Sequence, residues 1–226
     1  MKTILIIATL LMSLSLSDKP ITLDISDVYK KEDAVNLSEI AKAVKLIKLE
    51  FTPDAALSYI KEVILLNNYI LICDVKSNLC LFDSDGKYIR HIGKIGRGPG
   101  EYSNIRCIDV DPQNEIIFIL DNYSPFLLSY DIKGNFKSTI IPCRDKTSFC
   151  FLNGYFYFHA PINLVAYSDN SNSETFYQLS VYDSKAVLVK SLNEVNAKNL
   201  TKSKFIEDAF FTVSSEGEVL YNTFRD

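Results

Sequence analysis

The segments "NNYILICDVKSNLCLFDSDGKYIRHIG" (residues 67–93) and "NEIIFILDNYSPFLLSYDIKGNFKSTII" (residues 114–141) carry one pattern twice. In each, a turn pair (Asn67-Asn68, Asn114-Glu115) opens an apolar run that ends in aspartate, Asp74 or Asp121. A short polar link leads to a second run closing on an aromatic-Asp pair, Phe82-Asp83 or Tyr130-Asp131. A turn glycine follows, Gly86 or Gly134, and then a further run. The step from Asp74 to Asp121 is 47 residues and that from Gly86 to Gly134 is 48. Repeats of this length mark propellers and solenoids. "YILIC" and "IIFIL" are too short for ordinary helices and rich in isoleucine, so they read as buried strands. Four short strands per repeat make a propeller blade. A β-sandwich would not demand equal spacing of the aspartates, aromatic-Asp pairs and glycines.

Two looser copies follow. "KTSFCFLNGYFYFHA" supplies two strands around an Asn153-Gly154 turn, and "YQLSVYDSKAVLVKSL" repeats the aromatic-Asp turn at Tyr182-Asp183 with Ala186 in place of glycine. Between them "PINLVAYSDNSNSET" reads as a long polar loop. A fourth copy begins at "IEDAFFTVSSEGEVLYNTF", with Glu216-Gly217 as its turn, and the sequence stops inside it. The blades fall at about 57–93, 103–142, 146–192 and 205–226, within an incomplete propeller spanning 44–226. Ahead of them, residues 18–43 form an N-terminal segment in which "NLSEIAKAV" suggests a short helix, Asn36 and Glu39 being spaced as a capping box. "KLIKLEF" (45–51) reads as an extended strand of the kind that closes a ring by completing its last blade.

The 226 residues, 47% hydrophobic and 23% charged, suffice for a sizeable core. A formal charge of −4, with no basic stripe interleaved with aromatics, argues against nucleic acid as a partner. "MKTILIIATLLMSLSLS" (1–17) has the early lysine, apolar stretch and small residues of a secretory signal, and is too short for a membrane span. No cysteine precedes Cys73, so export without a lipid anchor is expected, to the periplasm, the cell surface or the medium. The five cysteines lack metal-ligand spacing and read as small buried thiols rather than bridges.

Taken in order, "KLIKLE", "LFDSDGKYIRHIGKIGRGPGEY" and "YDIKGNF" resemble the secreted or lipid-anchored bacterial six-bladed β-propellers, distant relatives of NHL-repeat propellers. The resemblance runs from about Val44 to Pro142, and its most specific element is Gly96-Arg97-Gly98-Pro99-Gly100-Glu101-Tyr102. It implies an all-β propeller of four-stranded antiparallel blades. Against that pattern this chain lacks a lipid-attachment cysteine and has about three and a half blades where six are expected, as a truncated, non-functional fragment would. An incomplete ring leaves an open blade edge, through which self-association is expected.

The glycine-rich stretch is not a phosphate loop. A P-loop needs Gly-x4-Gly-Lys-Ser/Thr between a strand and a helix, and here Glu101-Tyr102 follow Gly100. Its glycines instead let the chain cross from the outer strand of one blade to the inner strand of the next, with Arg97 and Glu101 placed for a local ion pair. Such crossings and the links between second and third strands emerge on one face. Asp74, Arg97, Glu101, Tyr102, Asp121, Tyr123 and His159 are therefore expected to share a rim with the 160–175 insertion, where a glycan or protein ligand would bind. No catalytic residue, metal site or cofactor is indicated: neither His91 nor His159 has a sequence-evident nucleophile, and Asp83-x-Asp85-Gly86 lacks the glutamate of an EF-hand. The sequence reads as an exported binding or interaction module; the competing reading is a lyase or hydrolase acting on glycans at the rim.

Overall fold

The computed structural model describes residues 43–143, 146–160, 175–196, 209–213 and 219–223. The signal sequence, the Asn36–Glu39 capping box, the 161–174 portion of the insertion and the Glu216-Gly217 turn lie outside them. The described strands form meanders. β1 (Ile60–Leu66), β2 (Tyr69–Asp74), β3 (Leu79–Asp83) and β4 (Tyr88–His91) pair antiparallel in sequence order. So do β5 (Ile105–Asp111), β6 (Ile116–Asp121), β7 (Phe126–Asp131) and β8 (Phe136–Pro142), and likewise β9 (Ser148–Leu152), β10 (Tyr155–His159), β11 (Thr175–Asp183) and β12 (Leu188–Asn196). β13 (Ala209–Val213) and β14 (Val219–Thr223) make a two-stranded sheet. The first strands of successive sheets adjoin: β1 lies by β5, β5 by β9 and β9 by β13. Sheets of this kind joined along their first strands are blades, and the chain is a partial β-propeller of four-stranded antiparallel blades.

The unbroken apolar runs follow from that arrangement. Successive side chains of a strand point to opposite faces, and the second strands here are covered on both: β6 by a blade on each side, β2 by blade 2 on one side and by Leu49 and Leu57 of the leading segment on the other. Ile70 and Ile72 of β2 pack with Cys80 and Phe82, while Leu71 and Cys73 face Ile117 and Ile119 of blade 2. Phe118 and Leu120, on the other face of β6, meet Phe149, Phe156 and Phe158 of blade 3. Each such residue contributes about 1.5–3 kcal/mol by leaving water. All five cysteines are thiols, and four of them are buried, Cys73, Cys80 and Cys143 within these layers. Burial pushes Cys80 up to about 11 and Cys73 to about 12, so both stay protonated at neutral pH and are poor nucleophiles. This holds for Cys80 even though the β3–β4 register brings its Sγ to 3.5 Å from His91 Nδ1.

"KLIKLEF" does not form the expected strand. Among its residues 46–51 no strand pairing exists; instead the Glu50 N–H donates to Gly86 O (2.7 Å) and its carboxylate accepts from the Tyr88 N–H (2.9 Å). Thr52 caps a single 3-10 turn, Pro53–Ala55, and Leu49, Ala55 and Leu57 lie on Ile70, Ile72 and Phe82. Blade 1 already has its four strands, so this apolar segment covers the blade's outer face instead of extending a sheet.

The β3–β4, β7–β8 and β11–β12 turns are one structure built three times. In each the aspartate N–H donates to a carbonyl four residues on (Lys87, Asn135, Val187), and its own carbonyl accepts from the third residue on (Gly86, Gly134, Ala186). Its carboxylate takes the N–H of Lys87, Asn135 or Val187 at 2.8–2.9 Å. The third loop residue must be left-handed: φ is +86° at Gly86, +83° at Gly134 and +64° at Ala186. A side chain is strained there, and glycine relieves it. Ala186→Gly is therefore expected to raise the unfolding free energy by about 0.5–1 kcal/mol in urea titration. Gly86→Ala should lower it by more, because its Cβ would meet the Lys48 carbonyl oxygen.

Candidate functional site

The β2–β3 link, the β4–β5 crossing, the β6–β7 link and the β8–β9 connection emerge on one face. Asp74, Asp121 and His159 hold the same register position there, each opposite the first residue of its blade's first strand (Ile60, Ser148 and, in blade 2, Ile105). All three are buried. Asp74 accepts from the N–H groups of Ser58 (2.9 Å), Lys76 (2.9 Å) and Asn78 (2.8 Å) and from Asn78 Nδ2 (2.8 Å). Its burial works to raise its pKa, but the donors at Ser58, Asn78 and Lys76 together hold it below the usual carboxylate value. Asp121 takes the N–H groups of Ser103 (2.7 Å), Asn104 (2.6 Å), Tyr123 (2.8 Å) and Ser124 (3.0 Å). Each aspartate thus ties the chain entering the first strand to the link leaving the second. His159 makes the corresponding tie differently, its Nδ1 lying 2.9 Å from Thr147 Oγ1.

The crossing from β4 to β5 folds on itself. Gly96 N–H donates to Tyr102 O (2.8 Å), Tyr102 N–H to Lys94 O (3.2 Å) and Glu101 N–H to Gly98 O (3.0 Å). The Glu101 carboxylate returns over the loop to accept from the Gly98 N–H (2.8 Å), and Lys94 Nζ stands 3.1 Å from its other oxygen. These bonds, with that of the Arg97 N–H, hold its pKa below the ordinary value, the Gly98 bond contributing most. The ion pair expected with Arg97 is made by Lys94 instead, because the turn at Gly98 brings the carboxylate over the backbone amides and leaves the Arg97 side chain exposed outside. An amide that a phosphate would need is taken by the protein's own anion. A Cβ at Gly96 would strike the Glu101 carboxylate and push it off the loop.

Tyr102 lies in the core. Its hydroxyl donates to Ile92 O (2.7 Å), and its ring stands edge-on to Tyr130 at 6.1 Å, while the Tyr130 hydroxyl donates to Gly100 O (2.9 Å). Burial pushes both phenols far above their usual range, so both serve as neutral donors. Of the seven rim residues read from the sequence, Arg97 and Tyr123 (77% exposed) have side chains open to solvent; Glu101 is half-buried and the other four are buried. Among the described residues, no group of three or more His, Cys, Asp or Glu is placed to hold a metal ion, and no helix is long and apolar enough to cross a membrane.

Sequence reading missed the residues that join neighbouring first strands. Lys61 and Arg106 are the bulged residues of β1 and β5. Lys61 Nζ donates to Ile105 O and Arg106 Nε to Thr147 O, both at 2.7 Å. Beside them, Glu62 accepts from the Ile108 N–H (3.2 Å) and Asp109 from the Phe151 N–H (2.6 Å). Burial raises Glu62 to about 7, the Ile108 bond opposing and the charge of Asp109 adding to the rise. Burial likewise raises Asp109 to about 6 against the bonds from Phe151 and Val110. The available signal was a basic residue 45 positions apart at the start of two first strands.

Two outcomes are expected. Asp121→Ala leaves four backbone donors without their acceptor and should cost about 3 kcal/mol or more in denaturant unfolding, with Asp121→Asn losing about half of that. The second concerns pH. Glu62 and Asp109 have folded values above their unfolded ones, so between pH 4.5 and about 7 the folded chain holds protons that the unfolded chain has released. Stability then falls as pH rises through that window. Thermal melts should show Tm rising as pH is lowered from 8 toward 5.5, with the slope reduced in Glu62→Gln and Asp109→Asn.

Solved structures share the fold. A protein of Bacteroides fragilis NCTC 9343, provisionally classed as exported, superposes with a TM-score of 0.55 at 24% identity, over 65% of this chain and 40% of that one. A member of the DUF4221 family from Bacteroides vulgatus ATCC 8482 superposes with a TM-score of 0.50 at 8% identity, over 79% of this chain and 55% of that one. The chain therefore spans about half or less of the length of these two structures. No curated protein matches the sequence. Residues 20–226 match the family described as a domain of unknown function, DUF4934, and the chain belongs to that family.

Proposed function

We propose that the chain is a propeller portion of an exported binding or interaction protein, related to the six-bladed NHL-type propellers, that captures a glycan or protein ligand on its crossing-loop face. One observation carries this reading. The carboxylates of Asp74, Glu101 and Asp121 and the core Tyr102 hydroxyl are engaged in scaffold bonds, whereas Arg97 and Tyr123 project from the loops those bonds hold. A cation and a phenol on rigid loops suit recognition of a polar surface, since arginine and tyrosine are favoured at binding hot spots. In this reading Arg97 and Tyr123 meet the ligand, and Asp74, Glu101, Tyr102, Asp121 and His159 hold the frame. Export is supported by the secretory pattern of residues 1–17 and by the provisional class of the B. fragilis relative.

The test is a panel of soluble glycans and candidate surface proteins followed by thermal shift and titration. Arg97→Ala with Tyr123→Ala should weaken whichever ligand is found by about tenfold or more, roughly 1.4 kcal/mol, without lowering Tm. Equal loss of binding and Tm would reduce both residues to scaffold. Turnover of a glycan would replace the binding reading with a catalytic one.

A further inference from the structure

Three loops of the crossing face are tied to one another by direct bonds. The β4–β5 crossing starts with the Ile92 N–H on Leu79 O (2.9 Å) and ends with the Ile105 N–H on Ser77 Oγ (2.9 Å), so both its ends rest beside the β2–β3 link that carries Lys76. Just before Ile105, the N–H groups of Ser103 and Asn104 meet Asp121, whose link carries Tyr123. At this meeting point the side chains form a relay of donors. The Arg106 guanidinium is held between Thr147 O (Nε, 2.7 Å) and Asn122 Oδ1 (Nη1, 3.1 Å), and Asn122 Nδ2 donates to Asn104 Oδ1 (2.7 Å). Arginine can only donate, so the orientation of both amides is set, and the donors left over are Arg106 Nη2 and the Nδ2 of exposed Asn104.

Charge runs the same way. Among the described residues none of Lys76, Arg97 and Arg106 has a carboxylate partner, while Asp74, Glu101 and Asp121 are turned onto the protein's own N–H groups. Composition does not account for these unmatched cations, since the chain as a whole carries −4. A cluster whose unspent side-chain groups are cationic and amide donors calls for a ligand of acceptors, and a guanidinium gives carboxylate or sulfate paired, charge-assisted bonds. Tyr123, next to Asn122 and 77% exposed, adds an aromatic face on which the C–H side of a sugar ring can pack. We propose that the ligand of this face is an anionic glycan, its acidic groups held by Arg106, Asn104, Lys76 and Arg97 and a ring by Tyr123. This inference rests on the binding reading of the crossing-loop face and gives that reading its chemical class.

Calorimetric titration of the intact chain with oligogalacturonate and with its methyl ester, which lacks the charge, tests it, alongside dextran sulfate against dextran, and poly-glutamate. At least one charged glycan should bind about tenfold or more tightly than its neutral counterpart and weaken as salt is raised. The pair that responds tells carboxylate from sulfate. Asn104→Asp keeps an acceptor for Asn122 and replaces the terminal donor with a negative charge, so it should cost about tenfold in that affinity with Tm unchanged. Lys76→Gln with Arg97→Gln should do the same, which keeps the test sound if Asn104→Asp disturbs folding. Lys87→Gln, in the β3–β4 turn at the other end of the strands, should leave binding as it is. Failure of both charged glycans to bind, equal affinity for charged and neutral members, poly-glutamate bound as tightly as the glycans, or indifference to both variants would overturn the proposal. A neutral ligand bound through Arg97 and Tyr123 would overturn it too while leaving the face a binding site; absence of any ligand dependent on those two residues would remove both readings.

Discussion

Neighbouring blades meet along first strands that belong to different sheets, so backbone groups at that junction must be satisfied from outside a ladder. An unmade hydrogen bond at a buried amide or carbonyl costs about 1–3 kcal/mol, enough to decide whether one blade docks on the next. Here side chains supply the missing partners. A cation on a bulge reaches forward to a carbonyl, Lys61 to Ile105 and Arg106 to Thr147, and an acid beside it takes an N–H, Glu62 from Ile108 and Asp109 from Phe151. The bulge matters because it turns a side chain out of the strand's alternation and toward its neighbour. Apolar layers between blades then add area to a junction already fixed in register.

The crossing face uses the same chemistry for a different end. Asp74 and Asp121 gather backbone donors from two chain segments each, and Glu101 gathers those of its own loop. Loops pinned this way do not need a ligand to become ordered, so little conformational entropy opposes recognition. The face therefore gains rigidity by consuming the groups that sequence reading regards as its most reactive, and the side chains it leaves accessible stand on pinned loops.

The fold was legible because its strongest signals are local. Aromatic-Asp pairs and positive-φ turns recur at fixed spacing, and Ala186 could replace glycine because Asp183 makes the same carboxylate bonds as Asp83 and Asp131. The leading segment was misread for a physical reason: "KLIKLEF" alternates as a strand does, yet whether it pairs depends on where blade 1 leaves an edge or a face, which no local pattern encodes. The junction residues were hidden for another. Bulges break the alternation of β1 and β5, and the residue after the cation changes from Glu62 to Cys107, so the repeat there survives only in charge. Arg97 was expected to pair with Glu101, but residues so close compete, and the loop's backbone decided for Lys94.

Comparing blades separates frame from function. A feature that returns at one register position in successive blades answers a need every blade shares, as Asp74 and Asp121 do, so its recurrence argues for scaffold even when its chemistry looks catalytic. What does not return is held by no such need. Two residues beyond the paired aspartates the chain has Lys76 in blade 1 and the exposed Tyr123 in blade 2, both with their N–H bonded to the aspartate and with unlike side chains. Between blades, β4 ends at His91 and β5 starts only at Ile105, whereas β8 ends at Pro142 and β9 starts at Ser148. The longer crossing is more than a connection requires, and the excess is the loop that carries Arg97. Departures from the repeat at Tyr123 and Arg97 thus fall on one face and on accessible side chains, which is where a scaffold built from copies can differ without loss of its fold.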